Sequence, residues 1–387
     1  MITLLLLTLA ADLPSQREVD EITRQLGEVM QLKPRRSIPV HQMTRDALKR
    51  DFTRRADKLM KPEEQRVDEL TLQWLGFVAP GFNLKTTTVD LLSEQAAAYY
   101  DYRRKRLVML ANPLGEFDPN VLAHELSHAL ADQHFKIGRF IDGAKSGDDA
   151  ELARQAVVEG QASWLMADYE SRQRDGTSLA EAPGRLPAWS SFDDKASFAF
   201  PELEKAPLYL RVNLLFPYWE GGRFQQAVIA RSGPRGFREV FTTPPVSSQQ
   251  ILHPEAYFEH RVPEQPALPI ARLKGYRTVS AGILGEADHL VLFKQYGDPQ
   301  PERVAEGWRG GQYRILERQS NGARECCVVL YASSWKDEAA AQAAQTAWAR
   351  VVANKSRQAE GPLRARVQRR NRLVFSIEGL AAPSRAE

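Results

Sequence analysis

The sequence predicts an α+β protein with a mostly helical first domain that carries a small sheet, residues 12–262, and a smaller α+β domain, residues 271–387. Three observations predict it. Charged segments of helical period dominate the first half, short apolar strand-like runs pair across turns near the end, and "HRVPEQPALPI" brings Pro263, Pro266 and Pro269 together as a linker over 263–270. Hydrophobic and charged residues stand at 43% and 26%, which is ordinary globular composition and places the chain outside the disordered class.

The first element is the apolar run Ile2 to Ala11, which ends on Ala10 and Ala11. It reads as a signal peptide over 1–11 and implies export to the periplasm or beyond. No other segment approaches the ~20 apolar residues of a membrane span, so stable membrane insertion is not expected. Residues 17–31, 42–60 and 62–77 read as helices. "KRLVML", residues 105–110, reads as a strand that ends at Asn112 and Pro113. A helix is then expected from Asp118, which can cap it, with Pro119 in the first turn. A second helix is expected from about Asp149 to about Arg172, with Ser146, Gly147 and Asp148 as loop and cap. Residues 180–207 have no clear period and read as irregular.

Beyond the linker, a helix is expected at about 284–296. "QYRILER" and "CCVVLYA" form a hairpin around Ser320, Asn321 and Gly322. An alanine-rich helix follows, with Ser334 and Asp337 at capping-box spacing. "RARVQ" and "RLVFSI" form a second hairpin. The adjacent Cys326 and Cys327 point to opposite faces of a strand and are expected as one buried and one half-exposed thiol. A net charge of +3 is too small to imply a nucleic-acid partner, and the Arg369–Arg370 turn reads as a solvated face. There is no internal repeat and no phosphate-binding glycine pattern.

Chemistry concentrates in "VLAHELSHALADQHF", residues 121–135. His124 and His128 are four apart, so one helical face presents both imidazoles to a single ion. Glu125 is offset by about 100° and can touch a water beside that ion rather than the ion itself. Val121, Leu122, Ala123, Leu126, Ala129 and Leu130 leave the helix apolar nearly all round, hence buried, and buried imidazoles need partners. Zinc suits such donors and keeps an exchangeable position in catalytic sites.

Two residues compete as third ligand. His134 completes the spacing H-E-x-x-H-x-x-G-x-x-H of the metzincins, but Ala131 stands where that pattern has glycine. With alanine the helix continues, and six residues of helix turn His134 about 120° away from the metal face. Glu159, in "AVVEGQASWLMADY", sits in a stripe with Leu152, Ala156, Ser163 and Met166, where an ionised carboxylate is costly without a cation. Gly160, Ala162 and Ser163 allow close approach to the histidine helix. Glu159 is the expected ligand, with Asp132 as a partner behind His128.

HELSHALADQHF, VVEGQA and LHPEAY, together with EGWRGGQY and the helix start at Trp335, resemble a family of bacterial exported zinc metallopeptidases of the gluzincin type. The resemblance covers most of the chain, through motifs that total some thirty residues. It implies a zincin-like fold for the first domain, zinc held by His124, His128 and Glu159, and Glu125 as general base; it brings no native substrate, and a peptide or protein substrate is the expectation from the proposed hydrolysis. His253 is the first candidate for a donor to the developing oxyanion, with Tyr257 as the substitute. Tyr100, just before the expected strand, would lie near an edge able to pair with an extended peptide.

Overall fold

The computed structural model describes residues 13–111, 117–144, 147–185, 200–270, 273–320, 323–358 and 364–379. The expected signal peptide and residues 186–199 of the irregular segment 180–207 lie outside them. The α+β class is as expected: among the described residues, helices dominate and two small sheets accompany them.

The first half runs α1 (Gln16–Met30), β1 (Val40–Met43), α2 (Arg45–Leu59), α3 (Pro62–Leu75), α4 (Leu84–Gln95), β2 (Ala98–Asp101), β3 (Arg106–Leu110), α5 (Pro119–Phe135), α6 (Ile137–Asp142) and α7 (Asp148–Asp175). Then come α8 (Pro201–Lys205), α9 (Leu208–Ser232), α10 (Gly236–Thr242), α11 (Ser248–Leu252) and α12 (Pro254–Phe258). The remainder is β4 (Tyr276–Gly282), α13 (Glu286–Gln295), α14 (Pro301–Ala305), β5 (Trp308–Ser320), β6 (Ala323–Trp335), α15 (Glu338–Gln358), β7 (Ala365–Arg370) and β8 (Leu373–Glu378).

Local chemistry explains several boundaries. Ser15 and Glu18 form a capping box at α1. Asp118 caps α5 through the Asn120 amide, with Pro119 in the first turn as expected. The helix expected over 42–60 begins three residues later, because Thr44 caps it and the preceding residues pair as β1. At α15 the cap is Asp337, whose carboxylate accepts from the Ala340 amide at 2.7 Å, while Ser334 belongs to β6. Cys327 is buried and disulfide-bonded rather than a free thiol. The side chain of the other cysteine lies outside the described residues.

The small sheet has the order β1-β3-β2, with β1 parallel and β2 antiparallel to β3. This makes β2 an edge. The second sheet is antiparallel, in the order β4-β5-β6-β8-β7. The Pro-rich segment 263–270 runs beside β5: Glu264 donates its amide to the Arg309 carbonyl at 2.8 Å. One apolar core extends from Val19 in α1 through α5, α7 and α9 to Trp335, Trp348 and Val374.

Helix α5 is its centre. Leu122 to Ala131 are 9% exposed or less, so its polar side chains meet protein rather than bulk water. Helix α7 packs on it, and α9 packs on α7 so closely that a Cβ on Gly160 would lie 2.1 Å from the Gly221 carbonyl carbon. A Cβ on Gly221 would lie 2.2 Å from the Ala156 oxygen. This glycine pair lets two long helices touch backbone to backbone.

Candidate metal centre

Four elements bring side chains to one cleft. Helix α5 supplies His124, Glu125 and His128; α7 supplies Glu159; α9 supplies Tyr218; and edge strand β2 supplies Tyr100. The cleft has a volume of about 570 Å³.

The Nε2 atoms of His124 and His128 are 3.1 Å apart, and Glu159 Oε2 lies 3.3 Å from the first and 3.2 Å from the second. The three residues form a group able to hold a metal ion. A tetrahedral ion with bonds of about 2.0–2.1 Å needs donor atoms about 3.3–3.4 Å apart, so the triangle fits one with little adjustment. The imidazoles are 10% and 11% exposed and the Glu159 side chain 26%, which leaves the carboxylate side open towards the cleft. Burial pushes the Glu159 carboxyl upward, but His128 and His124 outweigh it and hold it well below the usual range.

Glu125 does not join the triangle. Its Oε2 accepts the Tyr100 main-chain amide at 2.7 Å. Burial pushes its carboxyl up to about 7; Glu159 adds to this, while His124 and the Tyr100 amide oppose it. A carboxylate poised near 7 can take a proton and give it back near neutral pH.

Tyr100 is doubly held, because its phenol also donates to Asp132 Oδ2 at 3.0 Å. Asp132 accepts in addition from Lys105 at 2.5 Å and from the Ile137 amide at 3.1 Å. The partner expected behind His128 therefore acts elsewhere: it ties β2 and the start of α6 to α5, and so fixes the strand that steadies Glu125.

Tyr218 was not among the expected site residues. Its ring stacks on His124 with centroids 5.8 Å apart and planes 15° apart, and its phenol stands close to the Glu159 carboxylate. Glu159 first, then burial, push the phenol well above its ordinary range, so it stays a proton donor. One signal was available. "FPYWEGG" sets glycines beside aromatics, and Gly221 is the partner that Gly160 needs for helix contact.

Three sequence candidates lie away from the triangle. His134 is turned off the metal face, as the continuing helix requires, and its Nε2 meets the Lys33 carbonyl at 2.9 Å. His253 is outside the cleft: its Nε2 bonds Glu286 Oε1 at 2.7 Å, at the start of α13. Tyr257 is 3% exposed and donates to the Thr243 carbonyl at 2.8 Å. The expectation that His253 or Tyr257 faces a reacting carbonyl is thus corrected. The LHP turn joins α11 to α12 and anchors α13, and the phenol beside the triangle is Tyr218. Comparison with protein-family models, curated proteins and solved structures found no match.

Proposed function

We propose that this protein is an exported zinc-dependent peptidase that hydrolyses peptide bonds with Glu125 as general base. The observation that carries the proposal is the donor triangle of His124, His128 and Glu159 with a separate carboxylate, Glu125, held beside it by the Tyr100 amide. Bound by the triangle, zinc would polarise the scissile carbonyl and acidify the attacking water.

The chain's own groups supply the rest. Glu125, oriented by the Tyr100 amide, accepts a proton from the attacking water and delivers it to the leaving amine. The Tyr218 phenol, beside Glu159, is the donor placed for the developing oxyanion. Strand β2 holds the substrate: the Tyr100 amide faces away from β3, and by alternation the main-chain groups of Ala98 face the same way, along the cleft. Among the described residues, apart from the two histidines and two glutamates of the centre, the cleft wall carries no ionisable acid or base of the Asp, Lys or Arg type, and Phe52, Leu214, Leu215 and Trp219 favour an apolar substrate side chain.

The test compares wild type with Glu125→Gln on a peptide library, with zinc measured in both. Glu125→Gln is expected to keep its zinc and lose about 10²–10⁴-fold in cleavage rate. Equal cleavage by the two proteins would sink the proposal. Glu159→Ala is expected to lose zinc, and His134→Ala to retain it.

A further inference from the structure

A second cavity opens beside the cleft, past the end of the edge strand. It has a volume of about 670 Å³, and its wall carries Arg35, Arg36, Arg103, Lys105, Lys136 and Arg139 against two acids, Asp132 and Asp142. This one wall is therefore more positive than the whole chain, whose net charge is +3. Two of the cations are engaged. Lys105 pairs with buried Asp132 at 2.5 Å, and the Arg35 guanidinium donates to the Gln133 carbonyl at 2.9 Å. The side chains of Arg103, Lys136 and Arg139 are exposed and have no ion pair or hydrogen bond among the described residues. Like charges around one concavity repel one another and focus a field that draws in an anion.

The basic cavity and the cleft meet at Tyr102. This residue follows β2 directly and belongs to both walls. Its ring lies on Gly138, where a Cβ would come within 2.9 Å of Tyr102 Cε2, so the start of α6 can carry the ring only without a side chain. On either side of this contact, Ile137 lines the cleft and Gly138 the basic cavity. The main chain itself sets two of the cations. Lys105 and Lys136 have φ of 55° and 57°, a left-handed conformation more usual for glycine or asparagine. One lies in the turn between β2 and β3, and the other joins α5 to α6. A peptide extended along β2 advances about 3.3 Å per residue. It would pass from the Tyr100 amide, beside Glu125, to the basic wall beyond Tyr102 within about two to four residues.

We propose that this wall is a subsite of the cleft for acidic side chains: a substrate extended along β2 places Asp or Glu, about two to four residues from the scissile bond, against Arg103, Lys136 and Arg139. The inference rests on reading the cleft as a peptide site, and it names the substrate class as segments with an apolar residue at the cut and an acidic run to one side. Continuity with the edge strand favours a peptide over other polyanions, since main-chain pairing along β2 leads a peptide, and not a nucleic acid, to the basic wall. Each exposed ion pair contributes little alone, so the selectivity comes from several charges together and weakens as salt screens them.

Binding is read by fluorescence anisotropy on the full chain carrying Glu125→Gln and loaded with zinc, so that peptides are held and not cut. The peptides share one apolar centre, have blocked termini, and carry Asp-Asp-Asp or Ser-Ser-Ser at one end or the other. At one of the two ends, Asp is expected to bind about ten-fold more tightly than Ser at low salt, and the ratio to shrink to about two-fold at high salt. Arg103→Gln, Lys136→Asn and Arg139→Gln combined are expected to bring the ratio to about one, with Tm as the check on folding; asparagine keeps the left-handed turn at 136. Arg139→Glu alone is expected to lower the ratio about three-fold. Equal affinity for Asp and Ser at both ends, undetectable binding of the Asp peptides, a ratio undiminished in the combined variant, or tighter binding of a single-stranded oligonucleotide of the same charge overturns the proposal. Cleavage by wild type is followed separately. Asp and Ser peptides bound and cut alike would sink this inference alone, whereas acid-selective binding with no peptide cut would sink the peptidase reading alone.

Discussion

Tyr218 and Glu159 stand side by side at the triangle, yet the two make different predictions. In the proposed reaction the phenol acts only as negative charge develops on the substrate. Tyr218→Phe is therefore expected to keep zinc and KM while kcat falls by about 10²-fold, measured by steady-state kinetics with metal analysis. A fall in zinc content instead would make Tyr218 a support for Glu159. His289 gives a prediction of another kind. It is fully buried, with Nδ1 on the Gly285 carbonyl at 2.6 Å and Nε2 at the Tyr331 hydroxyl at 2.5 Å, and burial pushes its pKa down to about 4. Its folded pKa lies below the unfolded value of about 6.5, so the unfolded chain binds the extra proton. Its contribution is complete above pH 6.5 and is lost as pH falls towards 4, by about 3 kcal/mol in all. Urea unfolding at pH 7 and pH 4.5 is expected to show a smaller acid loss in His289→Gln, which can keep both hydrogen bonds.

At the scale of elements, the contact between α7 and α9 decides where Glu159 and Tyr218 stand. Helix α7 is also fixed in rotation by Trp164, whose Nε1 donates to Gln226 at 2.7 Å, and by Gln161, which donates to the Phe237 carbonyl at 3.1 Å. Gly160→Ala puts a methyl into the Gly221 backbone and cannot be absorbed by a side-chain rotation. A loss of about 1–3 kcal/mol in stability is expected, together with weaker zinc retention, because Glu159 is the neighbouring residue. Calorimetry and metal analysis on the same sample check both effects. A stable variant with full zinc would show that the helices can part without moving the ligand.

Across the whole molecule, contacts span the Pro-rich segment. Glu317 of β5 is 1% exposed and meets Arg66 of α3 at 3.2 Å, and Tyr296 donates to the Gly76 carbonyl at 2.8 Å. His253 and Gln249 both bond Glu286 of α13. The apolar core is continuous across these contacts. A chain ending at Val262 would expose the faces that Leu284, Phe293 and Trp308 cover. It is expected to aggregate or to lose its cooperative melting transition, whereas the full chain is expected to melt in one step by calorimetry. A truncated chain that melts sharply and binds zinc would mean that the first half folds alone.

The sequence by itself determined the parts of the centre that depend on local helical geometry. His124, Glu125 and His128 share one helix, so their spacing fixes their relation. Ala131 foretold that His134 would turn away, and an acid inside an apolar stripe singled out Glu159. It also yielded α1, α3, α5, α7 and α13 within a few residues, since each has a clear period or cap. Helix α9 was not legible, because Pro217, Gly221 and Gly222 are poor helix formers in isolation and only burial against α7 holds them helical. Tyr218 was hidden for the same reason. His253 and Tyr257 looked suitable in composition, but a side chain's partners are set by elements remote in sequence: Glu286 claims the histidine and Thr243 the phenol. The basic wall beyond Tyr102 needed the structure too. Its cations come from residues 35–36, 103–105 and 136–139, and look like ordinary solvated charges until the fold gathers them around one cavity.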